Sequence, residues 1–317
     1  MSNAHPVTNR RHFIANTVGG LAGIALMGKT VPVSSATPRA TPIETTSLGD
    51  GLSLIQGAGG NVVLLTNAEG SLMIDGGTPE RSAELLKVVA RESNRRPVQV
   101  LFNTHWHWDH TGSNERLGKQ SVRIVAHENT KLWLGADFFV EWQNRAYKPR
   151  PPQALPTQTF YTDGELKFGN EQILYGHTPR AHTDGDAYLF FPNRNLLVAG
   201  DLLSVGAYPI LDYSTGGWIG GLLDATKKLL DRSDAQTRVI PGAGPVQTRA
   251  DLQAQFDMLT TLKERLIGLM KKGMGAEDMV AAAPTREFDA RWGDPTLFVS
   301  NAYKGLWGHV RSLGGIV

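Results

Sequence analysis

Between residues 48 and 126 short apolar runs alternate with turns rich in Gly, Asn and Asp. Leu52–Ile55, Asn61–Thr66 and Ser71–Ile74 are too short for helices and carry β-branched and aliphatic residues, so they predict strands. Thr78-Pro79 then opens a helix: Thr78 can cap it, Pro79 suits a first turn that lacks N–H partners, and Leu85, Leu86, Val88 and Val89 give it an apolar face. Val98–Phe102 predicts a buried strand, residues 114–117 a short helix and Val122–Ala126 another strand. Strands interleaved with helices point to a layered α/β domain.

The second half repeats the theme. Thr157–Tyr161 and Ile173–Tyr175 predict strands around a turn at Asp163-Gly164, and Tyr188–Phe191 with Leu196–Val198 predicts a hairpin. Trp218–Leu230 predicts a helix and Arg238–Ile240 a short strand. Thr248, with Asp251 three residues on, forms a capping-box-like start to a long helix. Leu252, Phe256, Leu259, Leu262, Leu266 and Leu269 are its stripe and Gly273 its stop. Ala276–Ala283 is the last clear helix. Residues 133–157, with Trp133, Phe138, Phe139, Trp142, Tyr147, then Pro149 and Pro151-Pro152, form a long aromatic and Pro-rich connection: a lid over a site or a packed surface flap.

The densest chemistry follows the strand at 98–102, in Asn103-Thr104-His105-Trp106-His107-Trp108-Asp109-His110-Thr111-Gly112. In extended chain, alternate side chains share a face. His105, His107 and Asp109 are thus expected on one side, Trp106 and Trp108 on the other, with His110 breaking the alternation where a turn begins. The chain has nine His, and three fall here beside a carboxylate. Such a nitrogen and oxygen donor set suits Zn²⁺.

His-x-His-x-Asp-His behind a strand resembles the metallo-β-lactamase superfamily of hydrolases, and strand, turn, strand, then Ile74-Asp75-Gly76-Gly77 is how that family begins. The resemblance covers most of the chain, from about Leu48 to the C-terminal helices, and implies a four-layer αββα sandwich. It also implies a ligand set. His105 and His107 would bind one metal, completed by His182 in Ala181-His182-Thr183-Asp184-Gly185-Asp186. Asp109 and His110 would bind a second, and Asp201, ending Val198-Ala199-Gly200-Asp201, would bridge the two. The chain departs from the family at Ile240-Pro241-Gly242-Ala243-Gly244-Pro245. That stretch resembles the Pro-Gly-His-Gly turn supplying the last imidazole, and Ala243 stands in place of the His. A methyl group cannot bind zinc, so one Zn²⁺ is expected to bind tightly and the second weakly or not at all, unless another side chain or water fills the gap. His177 reads as structural or as support for the ligands, and His127 as a strand-end residue without catalytic duty. His309 is uncommitted. Tyr208, Asp212 and Tyr213 are either pocket-lining or packing residues.

Composition changes the picture mainly at the N-terminus. At 41% hydrophobic and 20% charged, 317 residues make an ordinary globular chain. The absence of Cys excludes disulfides, thiolate ligands, a Cys nucleophile and a lipoprotein anchor. Asn9-Arg10-Arg11-His12-Phe13-Ile14 places twin arginines before a glycine-broken apolar stretch that is short for a membrane span. It resembles a twin-arginine (Tat) export signal, which implies dealings with the Tat machinery, cleavage after residues 1–36, a periplasmic location and no stable membrane anchor afterwards. Residues 37–47, rich in Thr, Pro and Ser, read as a linker, and 48–317 as the metallo-β-lactamase-like domain. Residues 1–36 hold three of the 32 basic residues and none of the 30 acidic ones, so the remainder carries a formal charge of −1 (29 against 30). Nothing in that balance suggests a nucleic-acid partner; a small-molecule substrate is expected.

The function these residues imply is a zinc-dependent hydrolase in which a metal-activated water attacks an ester, lactone, β-lactam or similar acyl group, with Asp109 orienting the water. Two alternatives stand beside it. One is a mononuclear iron oxygenase similar to persulfide dioxygenases, with His105, His182 and Asp201 as a facial triad. The other is a binding protein built on the relic of a metal site.

Overall fold

The computed structural model describes residues 41–312. Four strands run as successive antiparallel neighbours: β1 (Glu44–Gly49), β2 (Leu52–Gln56), β3 (Val62–Asn67) and β4 (Gly70–Ile74). Helix α1 (Ser82–Glu92) then crosses over to β5 (Val98–Phe102), parallel to β4. Helix α2 (Asn114–Gly118) leads to β6 (Arg123–His127), parallel to β5, and α3 (Glu128–Leu134) to a small hairpin, β7 (Phe138–Val140) and β8 (Arg145–Tyr147). Strand β9 (Gln158–Phe160) completes a seven-stranded sheet by pairing with β6.

The chain then changes sheets. Strands β10 (Gly164–Phe168), β11 (Glu171–Thr178), β12 (Asp186–Phe191) and β13 (Leu196–Gly200) are antiparallel neighbours. Helix α4 (Ile219–Arg232) crosses to β14 (Arg238–Pro241), parallel to β13, and β15 (Gln247–Thr248) closes a six-stranded sheet. Helices α5 (Arg249–Lys271), α6 (Ala276–Ala281), α7 (Asp289–Trp292) and α8 (Thr296–Ser312) follow.

Side-chain alternation sorts these elements into four layers. Leu52, Leu54, Val63, Leu65, Val100 and Phe102 meet Ile173, Leu189, Phe191 and Val198 between the two sheets. The opposite faces bury Ile55, Val62, Leu64, Met73 and Leu101 against Leu85, Val88 and Val89 of α1, and Tyr188, Leu197 and Val239 against α4, α5 and α8. This is the expected αββα sandwich. Both sheets are covered on both faces, and their central strands accordingly carry near-continuous apolar runs.

Several expectations need correction. Residues Glu44–Ser47, read as linker, belong to β1. An edge strand needs only backbone pairing, which its polar side chains do not oppose, and Glu44 pairs with Gln56. Residues 1–36, read as an export signal, lie outside the described residues, as do 37–40 of the linker. Helix α1 begins at Ser82 rather than at Pro79; Thr78 accepts the Arg81 N–H across a preceding turn. The strands flanking Asp163 belong to different sheets, so that turn is a crossover and β10 was missed. A further long helix, α8, follows Ala276–Ala281. Its stripe of Phe298, Val299, Ala302 and Leu306 is obscured by Gly305, where a Cβ would stand 3.1 Å from Gly217 O, so close helix packing explains the glycine. Among the described residues no helix is long and apolar enough to cross a membrane.

Candidate metal centre

Strand β5 ends at Phe102, and the backbone carries His105 and His107 inward before turning. The turn starts at His107, whose carbonyl accepts both His110 N–H and Thr111 N–H at 3.1 Å. The alternation expected from an extended chain therefore holds for Trp106, which leaves the cluster to pack with Phe138 and Tyr147. Asp109 lies in the turn with its side chain 36% exposed and its Oδ2 3.9 Å from His110 Nε2.

His182 arrives from the loop between β11 and β12. That loop is folded on Asp186, whose carboxylate accepts His182 N (2.7 Å), Thr183 N (2.8 Å) and Thr183 Oγ1 (2.5 Å); burial pushes the Asp186 carboxyl up to about 7 despite these donors. Asp201 follows the last residue of β13. One donor atom from each of His105, His107, His182 and Asp201 lies within 4.8 Å of all the others. His182 Nε2 is 2.9 Å from His107 Nδ1 and 3.4 Å from Asp201 Oδ2, and His105 Nε2 is 3.8 Å from that same oxygen.

Each ring's remote nitrogen is anchored, and this decides which nitrogen faces inward. His107 Nε2 lies 3.0 Å from Asp212 Oδ2, His182 Nδ1 2.7 Å from Ile210 O, and His105 Nδ1 3.1 Å from Thr104 Oγ1. His110 Nδ1 lies 2.8 Å from Asp75 Oδ2. Asp75, in the left-handed region at φ +63°, also accepts Thr104 N at 2.8 Å and Thr104 Oγ1 at 2.7 Å. His110 Nε2 consequently faces Asp201 Oδ1 at 3.3 Å, with Asp109 Oδ2 at 3.9 Å.

The electrostatics match a cation site. Burial, then His110, holds His105 well below its ordinary pKa, and burial lowers His107 although Asp212 opposes it. Neutral imidazoles keep the lone pairs a metal requires. Burial also disfavours charge on His110 and Asp201, but their mutual attraction, helped by Asp75 on one side and His105 on the other, wins. His110 is held well above its ordinary value and Asp201 well below.

A metal fits this donor set on two observations. His105 Nε2 is buried with no hydrogen-bond partner, an arrangement that costs energy unless something else satisfies the lone pair. Gly242 also leaves space for the Asp201 carboxylate: a Cβ there would stand 1.7 Å from Oδ1. The turn carrying Gly242 and Ala243 is firmly built. Asn61 Nδ2 donates to Pro241 O and Gly244 O, each at 2.9 Å, and Gln56 Nε2 donates to Gly244 O at 2.7 Å. Ala243 itself is exposed and offers no donor.

Sequence reasoning underrated the supporting residues. Asp212 is fully buried and holds His107, Tyr213 bonds Glu141, and Tyr208 packs among the helices and donates to Asp289. Nothing in the sequence linked Asp186 to the His182 backbone or Asp212 to position 107. His177 stacks on His127 with ring centroids 3.7 Å apart, so the two form a structural pair. His309 stacks on Trp218. The 133–157 segment is an ordered flap whose Phe138, Trp142 and Tyr147 pack around Trp106.

Comparison with known proteins agrees with this architecture. The family model described as the metallo-beta-lactamase superfamily matches residues 55–266. A metallo-beta-lactamase type 2 of Bacillus cereus is 23% identical over 200 residues, covering 63% of this chain and 72% of the relative. The alpha subunit of a 2,4-dinitroanisole O-demethylase from Nocardioides sp. (strain JS1661) is 22% identical over 204 residues, 63% of this chain and 57% of that protein. Among solved structures, a metallo-beta-lactamase from Pontibacter korlensis superposes with a TM-score of 0.58 at 21% identity, covering 69% of this chain and 99% of that one.

Proposed function

The chain belongs to the metallo-beta-lactamase superfamily, and from that premise we propose that it is a zinc-dependent hydrolase of esters, lactones or similarly activated acyl compounds. The observation that carries the reading is the convergence of His105 Nε2, His107 Nδ1 and His182 Nε2 beside Asp201. These three imidazoles would hold one Zn²⁺, which when bound lowers the pKa of a water and polarises a carbonyl.

The protein's own groups divide the remaining work. The imidazoles are buried, whereas the Asp201 and Asp109 side chains are 26% and 36% exposed, so substrate enters from their side. Asp109 orients the attacking water and takes up its proton. His110, held by Asp75, keeps the second carboxylate edge of Asp201 occupied. Where the family pattern places another imidazole, Ala243 offers none, so less charge is available to stabilise a departing group. Poor leaving groups such as amines suffer most from that loss, which favours esters and lactones over β-lactams. The O-demethylase relative adds activated aryl methyl ethers as a class to include in a substrate screen.

The test is zinc and iron per chain in protein purified without added metal, followed by turnover of lactone, aryl ester and β-lactam panels. About one zinc per chain with ester or lactone turnover is the expected result. Efficient β-lactam hydrolysis overturns the substrate reading. Iron with oxygen uptake replaces hydrolysis by oxygenase chemistry, and no bound metal replaces it by a binding role.

A further inference from the structure

The tip of the β7–β8 hairpin reaches the candidate metal ligands through one carboxylate. Between the two strands, Glu141–Gln143 form a 3-10 turn. From it Trp142 donates its indole N–H to Asp212 Oδ1 at 2.9 Å. The other oxygen of that carboxylate, Oδ2, lies 3.0 Å from His107 Nε2 and accepts Thr215 Oγ1 at 2.7 Å. Asp212 is fully buried, so water cannot replace a partner it loses.

The tip is moored beside this contact as well. Tyr213 Oη donates to Glu141 Oε2 at 2.7 Å, and Lys304 of α8 pairs with Glu141 at 2.9 Å. The segment that carries Asp212 also braces the second ligand loop: Asp212 N donates to His182 O at 2.9 Å, and Ile210 O faces His182 Nδ1 at 2.7 Å. Hairpin tip and imidazole thus grip opposite oxygens of one group, and the backbone of the same segment holds the His182 loop through Asp212 N and its imidazole through Ile210 O.

We infer that Asp212 and Trp142 are positioning residues for His107, and that docking of the hairpin tip and metal affinity are thermodynamically linked through them. The inference rests on the reading that His105, His107 and His182 hold a metal. A ligating imidazole is aimed by the acceptor on its other nitrogen, and loss of that acceptor typically weakens metal binding 10- to 100-fold. Trp142 acts one hydrogen bond further out. Without its N–H, Asp212 Oδ1 keeps only the Ser214 N–H at 3.2 Å, while Thr215 still holds Oδ2, so the carboxylate is oriented less firmly toward His107. Linkage is reciprocal, so a metal bound at His107 must hold the hairpin down by the factor that the docked hairpin adds to metal affinity.

The experiment uses the full chain, stripped of metal, with zinc titrated against a chromophoric chelator. Asp212→Asn is expected to weaken zinc binding about 10- to 100-fold, and Trp142→Phe about 3- to 10-fold. In the double variant Trp142→Phe should add less than about a twofold loss, because its route to His107 is already cut. An unchanged affinity for Trp142→Phe, or an equal loss in both backgrounds, overturns the inference. A second measurement needs no variant: trypsin cleavage after Arg145, an exposed residue of β8. Zinc should slow that cleavage severalfold, and a rate indifferent to zinc overturns the linkage even if Asp212→Asn does not fold. Wild-type protein that binds no metal removes the metal-site reading and the inference together, whereas tight zinc without either coupling removes the inference alone.

Discussion

His107 Nε2 stands 3.0 Å from Asp212 Oδ2, and this contact turns Nδ1 of the same ring to 2.9 Å from His182 Nε2. Two residues 105 positions apart in the chain thus decide which nitrogen of His107 is presented to a metal.

Removal of one inward imidazole should abolish tight metal binding. His182→Ala leaves His105, His107 and Asp201, one imidazole short of the set, while Asp201 keeps His110 as a partner. Metal content by elemental analysis should fall from about one zinc per chain to a small fraction of that. Retention of full zinc would place the ion elsewhere.

Asp75→Asn isolates hydrogen bonding from backbone strain, because Asn also tolerates the left-handed conformation found at φ +63°. The amide must turn an N–H₂ toward one of three groups now facing carboxylate oxygens: Thr104 N, Thr104 Oγ1 or His110 Nδ1. A loss of about 1–3 kcal/mol in unfolding free energy is expected, measured by urea denaturation of the metal-free protein. A change below about 0.5 kcal/mol, the size of an ordinary surface substitution, contradicts the anchoring role.

Ala243→His should add the imidazole that the family turn carries. The turn is already braced by Asn61 and Gln56, so the backbone need not move to accept it. Zinc content should rise toward about two per chain, and amide turnover should improve relative to ester turnover. Unchanged stoichiometry would mean that the geometry of Asp109 and His110 alone limits the second site.

Gly242→Ala places a methyl carbon 1.7 Å from Asp201 Oδ1. The carboxylate must leave its position, and zinc affinity should drop at least about 10-fold. Chelator competition reads this directly, and wild-type affinity in the variant removes the argument that this glycine makes room for the carboxylate.

Stability should depend on pH through the stacked His127–His177 pair. Burial, then the neighbouring His177, lowers His127 to about 4, and burial lowers His177. In the unfolded chain both titrate near about 6.5. Between these values the unfolded state binds more protons, so stability rises with pH there. The contribution is fully present above about 6.5 and is lost as pH falls toward about 4. His127→Asn keeps a capping acceptor for the Asn129 N–H but removes one titrating ring, so Tm between these pH values should vary less steeply than in the wild type. Parallel Tm profiles for the two proteins would assign the effect to other groups.

Much of this was legible from one dimension. Strands β2 to β6 of the first sheet, α1, α4 and α5 follow from apolar periodicity, because burying an apolar face requires it. The motif at His105–His110 was legible because metal chemistry concentrates donors, and its resemblance to a family extended the ligand set to His182 and Asp201. Tertiary structure alone decided the rest. Side-chain polarity does not reveal an edge strand such as β1, whose cohesion is backbone pairing with β2. Nor does strand alternation continue into the turn that begins at His107, so the placing of Asp109 and His110 is set by that turn. The anchors Asp75 and Asp212 act across contacts between separate loops. Which imidazole nitrogen faces inward depends on where those acceptors lie in space, and a one-dimensional pattern of residue types carries no such coordinate.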